Sequence, residues 1–153
     1  MEEWIKRLRA TREHTPGIAL RLIAGLPLLA IGSQHLIGAA PLAPIIRGTP
    51  LPFPELQALA GTGTEIVAGL LLVLGLFGRL GGLLGIAAMG AALFAHLTFE
   101  PYTLAATGET FAWSDEPPII VPLAVLLASA AVTSIGSGRW SLDARGSTPA
   151  PVS

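Results

Sequence analysis

Two imidazoles and one carboxyl group fall inside long apolar runs of this sequence: His35, His96 and Glu65. Carboxylates and imidazoles are the groups that most readily accept, hold or pass a proton near neutral pH. An ionised carboxylate near the middle of a membrane span costs on the order of 2.5 to 3.5 kcal/mol on insertion scales, so Glu65 is expected to be paired or protonated. One reading makes Glu65 a proton acceptor or ligand-binding group. His35 and His96 then supply donors to a quinone-like carbonyl or relay protons, with Gln34 near the same level. The other reading makes Glu65 an interhelical strut, with the histidines satisfying backbone carbonyls or facing headgroups. Two histidines and a carboxylate can in principle hold zinc or non-haem iron, and two histidines can bracket a haem. No local ligand spacing such as HxxxH accompanies them, so neither a metal nor a haem is expected.

The elements that must position these groups follow from composition. Of 153 residues, 52% are hydrophobic and 12% charged, with mean hydropathy +0.66, whereas soluble domains carry about 25% charged residues. That argues for a membrane protein. Nine Lys+Arg against ten Asp+Glu give a net charge of -1, which leaves no basic excess for a phosphate backbone and argues against a nucleic-acid partner. The absence of cysteine excludes disulfide exchange, thiolate catalysis and thiolate-held zinc or iron–sulfur clusters. Redox chemistry, if present, must be borrowed from a ligand.

A bilayer core of about 30 Å needs about 20 mostly apolar residues in a helix. Four such stretches are present, at about 16–37, 56–77, 80–98 and 118–135. Continuous Leu/Ala/Gly runs without strand alternation favour helices over a β-barrel. The expected fold is an all-α integral membrane protein, a bundle of four transmembrane helices over 16–136. With both termini cytoplasmic, Lys6, Arg7, Arg9, Arg12, Arg21, Arg79, Arg139 and Arg145 lie inside and only Arg47 outside, which is the asymmetry the positive-inside rule selects. The loop after the third span carries Glu100, Glu109, Asp115 and Glu116 and is expected outside. Residues 1–15 place Trp4, Ile5 and Leu8 at helical spacing among basic residues, an amphipathic cytoplasmic segment. Residues 137–153 are expected to be a cytoplasmic tail, mostly disordered. Pro41, Pro44, Pro50, Pro52 and Pro54 break any continuous helix between the first two spans, in a loop that caps the outer face.

Lipid gives helices no hydrophobic reason to associate, so small residues mark the packing faces. Gly25 and Gly32 share a face with Arg21 and His35 on the first span. Gly61, Glu65 and Gly69 share one on the second, and Gly81, Gly85 and His96 one on the third. At 1.5 Å per residue, Glu65 lies roughly 12 Å below the outer end of its span, one or two turns from the level of His35 and His96. Arg21 sits at the opposite boundary, where it snorkels to headgroups or, alternatively, pairs with Asp143.

These features resemble those of the DoxX family of small four-helix bacterial membrane proteins. The resemblance rests on Arg21-Leu22 with Gly25 and Gly32, the Pro50-to-Pro54 loop leading into Glu65-x-x-x-Gly69, Gly75-x-x-x-Arg79, and Gly138-Arg139-Trp140-Ser141-Leu142-Asp143 after the last span. It implies a multi-pass protein of the bacterial cytoplasmic membrane. Some members are membrane subunits of thiosulfate:quinone oxidoreductase and others belong to oxidative-stress redox complexes. Glu65 matches the family's second-helix glutamate, and His35 stands where many members have lysine. The expected function is thus a redox-linked subunit that binds a quinone or similar apolar ligand between helices and serves a redox protein partner. A non-catalytic membrane scaffold, and a small-solute or proton pathway built on a homo-oligomer, are the alternatives.

Overall fold

The computed structural model describes residues 3–5, 17–38, 42–98, 102–103, 110–111, 119–138 and 140–145. Beyond a helical turn at 3–5, the elements are α1 (Gly17–Leu36), α2 (Leu42–Arg47), α3 (Pro54–Leu74), α4 (Gly78–Thr98), a strand pair β1 (Tyr102–Thr103) and β2 (Thr110–Phe111), α5 (Ile120–Ile135) and α6 (Leu142–Arg145). Helices α1, α3 and α4 are long and apolar enough to cross a membrane. Helix α5 is apolar and 16 residues long, about 24 Å at the helical rise. The strands pair antiparallel, Tyr102 opposite Phe111.

The long helices form a closed ring, α1 against α3, α3 against α4, α4 against α5 and α5 back against α1. This is an up-down-up-down arrangement, which the short connection from Leu74 to Gly78 enforces for α3 and α4. Four antiparallel helices return the chain to the side on which it began, and Gly17 indeed packs against Ser137 and Gly138. Ala24, Leu28, Ala68, Leu72, Val125 and Val132 fill the centre. Ile23, Leu26, Leu59, Leu70, Leu83 and Leu127 are exposed on the outside, where a bilayer rather than water suits them.

Small residues let the backbones approach. A Cβ on Gly69 would lie 2.9 Å from the Gly25 carbonyl oxygen, and one on Gly85 would lie 2.5 Å from Ser129 Oγ. Gly25, Gly32, Gly61 and Gly81 likewise face side chains or backbone of a neighbouring helix at 2.9 to 3.2 Å from an added Cβ.

Three local features differ from expectation. Helix α3 ends at Leu74 instead of running on to Phe77, because Gly75 adopts φ 65 and Phe77 φ 47. The Gly75 N–H bonds the carbonyls of Leu71 and Leu72 and the Leu76 N–H reaches Leu71 O at 3.0 Å, a glycine-terminated helix end. The proline-punctuated connection contains a short helix, α2, because Pro44 falls in its first turn, where no N–H is required. Pro54 starts α3 for the same reason. Finally, the segment after α5 folds back on the bundle: Ser137, Ser141 and Asp143 are almost wholly buried, and residues 146–153 lie outside the described residues. So do most of the amphipathic N-terminal segment and the acidic residues Glu100, Glu109, Asp115 and Glu116.

Candidate functional site

Helix α1 stops at Leu36 while α3 begins at Pro54, and the two helices are staggered. Gly32 lies against Glu65 and Ile66, at 3.0 Å from Glu65 Cβ to an added Cβ; beyond that level α3 continues for roughly three turns and α1 for roughly one, so roughly two turns of α3 have no α1 beside them. Helix α2 covers the overhang. Ile45 is buried there, and Leu42 rests against Gly61.

The stagger brings His35 to the level of Glu65. One turn beyond Gly32 on the same face, His35 Nδ1 lies 2.8 Å from Glu65 Oε2. The two side chains are 6% and 8% exposed. Glu65 is therefore paired across the α1–α3 interface, which offsets the cost of carrying a carboxyl group into the bundle. A hydrogen bond between an imidazole nitrogen and a carboxyl oxygen holds one proton between them, on whichever partner its surroundings favour.

Beside this pair lies a cavity of ≈ 210 Å³, lined by α1, α2, the connection to α3, α3, α4 and the start of α5. Ile31, Leu42, Ile45, Ala88, Met89 and Pro122 give it an apolar wall, and His35, Glu65, Thr49 and Gln57 are its polar members. Gln57 and Thr49 are turned to the chain itself: the Gln57 amide donates to Pro52 O, and Thr49 Oγ1 donates to Ile46 O at 2.7 Å. Gly61 also lines the cavity. Gln34 does not; it is exposed on the outward face of α1. The side chain of His96 lies outside the described residues. Gln57, Gly61 and Glu65 follow at four-residue steps, so the same face periodicity that placed Glu65 also placed Gln57. Thr49 and α2 carried no such signal. Among the described residues no group of three His, Cys, Asp or Glu side chains is placed to hold a metal ion.

A second polar cluster closes the opposite end of the bundle. Arg21 is 2% exposed. Its Nη2 donates to Trp140 O at 2.7 Å and its Nη1 to the Val73 and Leu72 carbonyls at 3.3 and 3.4 Å. Asp143 accepts from the Phe77 and Gly78 N–H groups at 2.9 and 3.0 Å and from Ser137 Oγ at 2.7 Å. Its own N–H donates to Gly75 O at 3.0 Å. The guanidinium thus meets the carbonyl end of α3 and the carboxylate meets the N–H end of α4, each opposite in sign to the helix dipole it faces. Arg21 does not snorkel to headgroups. It is buried and bonded to backbone carbonyls, with Asp143 near enough to act on it electrostatically.

A family model described as DoxX matches residues 18–98, which spans α1 to α4, the cavity and the His35–Glu65 pair. No curated protein and no solved structure matches the chain. With four apolar helices in a ring and the matched region covering more than half its length, the chain belongs to the DoxX family of membrane proteins.

Proposed function

We propose that this protein is a redox-linked membrane subunit that binds a quinone or a similar apolar ring compound in the cavity beside Glu65. The observation that carries the reading is a buried, proton-holding pair, His35–Glu65, in the wall of an otherwise apolar cavity. Size agrees with it. An engineered apolar cavity of about 150 Å³ accommodates benzene, and the cavity here measures ≈ 210 Å³, so a substituted six-membered ring fits. Quinone reduction takes up protons with electrons, and the pair stands ready to hold one at the ring. The chain has no cysteine with which to exchange electrons, so the electron donor is assigned to a partner protein.

The distribution of Lys and Arg favours the cavity end outside and the Arg21–Asp143 end facing the cytoplasm of a bacterial cell. The scaffold reading has one observation in its favour: the same hydrogen bond ties α1 to α3. Native mass spectrometry of the protein released from mild detergent separates the two. Retention of a quinone by the wild type, with its loss from folded Glu65→Gln, supports the ligand site. Lipid alone on both proteins overturns it and favours the scaffold.

A further inference from the structure

The cavity wall is bonded together on one side and unbonded on the other. Helix α2 and the connection at 48–53 cover it as a lid tied to α3. Arg47 donates to Glu55 Oε1 from Nε at 2.8 Å and from Nη2 at 2.6 Å, and Gln57 donates to Pro52 O. Thr49 Oγ1 closes the end of α2 on itself by donating to Ile46 O. Among the described residues no hydrogen bond or ion pair joins residues 42–53 to α1, α4 or α5. Across the cavity α4 contributes Ala88, Ala91, Ala92 and Ala95, which bring no polar side-chain atom to the seam. Lid and α4 can therefore part without giving up a hydrogen bond.

The lining also reaches the molecular surface on that side. Ala91 both lines the cavity and is exposed. It shares an outward stripe of α4 with Ala87 and Phe94, which are exposed as well. The stripe lies within the stretch of α4 that is long and apolar enough to cross a membrane, and Ala91 stands about 10 Å of helical rise before the end of α4 at Thr98. The mouth at Ala91 is thus at the depth of the hydrocarbon layer. We infer that the cavity opens sideways, between the α2 lid and α4, into the bilayer, and that its occupant enters and leaves through lipid and not from water. This rests on the ligand-binding reading above for the existence of an occupant and adds the route. Apolar ring compounds concentrate in hydrocarbon, so the portal faces the side on which they are most abundant.

Thiol labelling of the full chain in lipid nanodiscs tests the route, because the chain has no cysteine of its own. Ile45 is 5% exposed and lines the cavity, so Ile45→Cys reports what reaches the interior. Two reagents are compared, a sulfonated maleimide confined to water and a long-chain alkyl maleimide dissolved in the bilayer. Gly48→Cys, on the exposed connection, is the aqueous reference, and Gly63→Cys, exposed on α3, the lipid one. Ile45→Cys is expected to react with the alkyl reagent and not with the sulfonated one. Adding Ala91→Phe, which sets a ring at the mouth, is expected to slow that reaction several-fold and to leave Gly63→Cys unchanged. Ala88→Cys takes the place of Ile45→Cys should that variant fail to fold. Labelling of the cavity cysteine by the sulfonated reagent at the rate of Gly48→Cys overturns the side portal in favour of entry from water, while the cavity stands as a ligand site. Alkyl labelling indifferent to Ala91→Phe overturns the placement of the mouth at the seam of α2 and α4. No labelling by either reagent, with both references labelled, overturns the portal; retention of a quinone in native mass spectrometry separates that failure from failure of the ligand-binding reading.

Discussion

Removing the Asp143 carboxylate is expected to be among the most destabilising single changes in the molecule. Asp143 is 1% exposed, and Asp143→Ala strips acceptors from the Phe77 and Gly78 N–H groups and from Ser137 Oγ. It also takes the nearby negative charge from Arg21, itself 2% exposed. Hydrogen bonds to a charged group contribute about 1.5 to 3 kcal/mol each, and they do not add when they share one carboxylate. Breaking a buried charged contact by deleting one side costs about 3 to 5 kcal/mol, which sets the expected loss for Asp143→Ala. Asp143→Asn keeps one acceptor oxygen and places an amide N–H₂ against the other donors, so a loss of roughly 1.5 to 3 kcal/mol is expected. Reversible unfolding in mixed micelles with rising SDS, followed by tryptophan fluorescence, gives both values. The double-mutant cycle with Arg21→Met should show a coupling of about 0.5 to 3 kcal/mol. A loss below about 1 kcal/mol for Asp143→Ala, within the ordinary range for a surface change, refutes the assignment of Asp143 as the organiser of this end. An additive cycle refutes its coupling to Arg21.

Arg21→Lys keeps the charge but not the fork that reaches Trp140 O and the α3 carbonyls together, so the same titration should show a loss of about 1 to 3 kcal/mol. Gly69→Ala forces a methyl group 2.6 Å from Leu29 Cγ and 2.9 Å from backbone and should cost about 1 to 3 kcal/mol. Gly63→Ala meets nothing within 4 Å and should be neutral or stabilising by up to about 1 kcal/mol; a reversed order in the SDS midpoints contradicts the close approach of α1 and α3. In this cysteine-free chain, Gly48→Cys should react with a membrane-impermeant maleimide in intact cells, and Leu142→Cys only after the cells are opened. The opposite pattern reverses the proposed orientation. Glu65→Leu, which leaves His35 Nδ1 without its Glu65 partner, should destabilise more than Glu65→Gln by about 1 to 3 kcal/mol, measured on the same scale.

The helices were legible because lipid imposes a simple rule: long apolar runs with paired backbones become spans, and small residues on one face become contacts. Glu65 and His35 both announced themselves by lying on such faces. Depth measured from span ends, which assumes that the ends are level, sets them one or two turns apart, a gap that a glutamate side chain reaching outward narrows. The overhang of α3 past α1 is a tertiary fact, arising from how Gly32 seats against Glu65 and from α2 occupying the space left over. Arg21 misled for a related reason. A basic residue at a span end ordinarily reaches for headgroups, but Gly75 ends α3 so that its last carbonyls lie open to a donor, and the returning chain offers Trp140 O as a further acceptor. Those acceptors are backbone atoms with no residue type to mark them. Asp143 was visible only as an alternative partner, since capping a hairpin some 65 residues away in sequence leaves no local periodicity.

The position of Asp143 and Arg21 in the chain also bears on biogenesis. Arg21 enters the membrane with the first helix, its acceptors on α3 follow one hairpin later, and Trp140 and Asp143 arrive only after the fourth helix. Until then a guanidinium and the open ends of two helices await their partners. A chain halted after α5 has every span and no latch. Such a product is expected to be drawn to membrane proteases that sample loose helix ends.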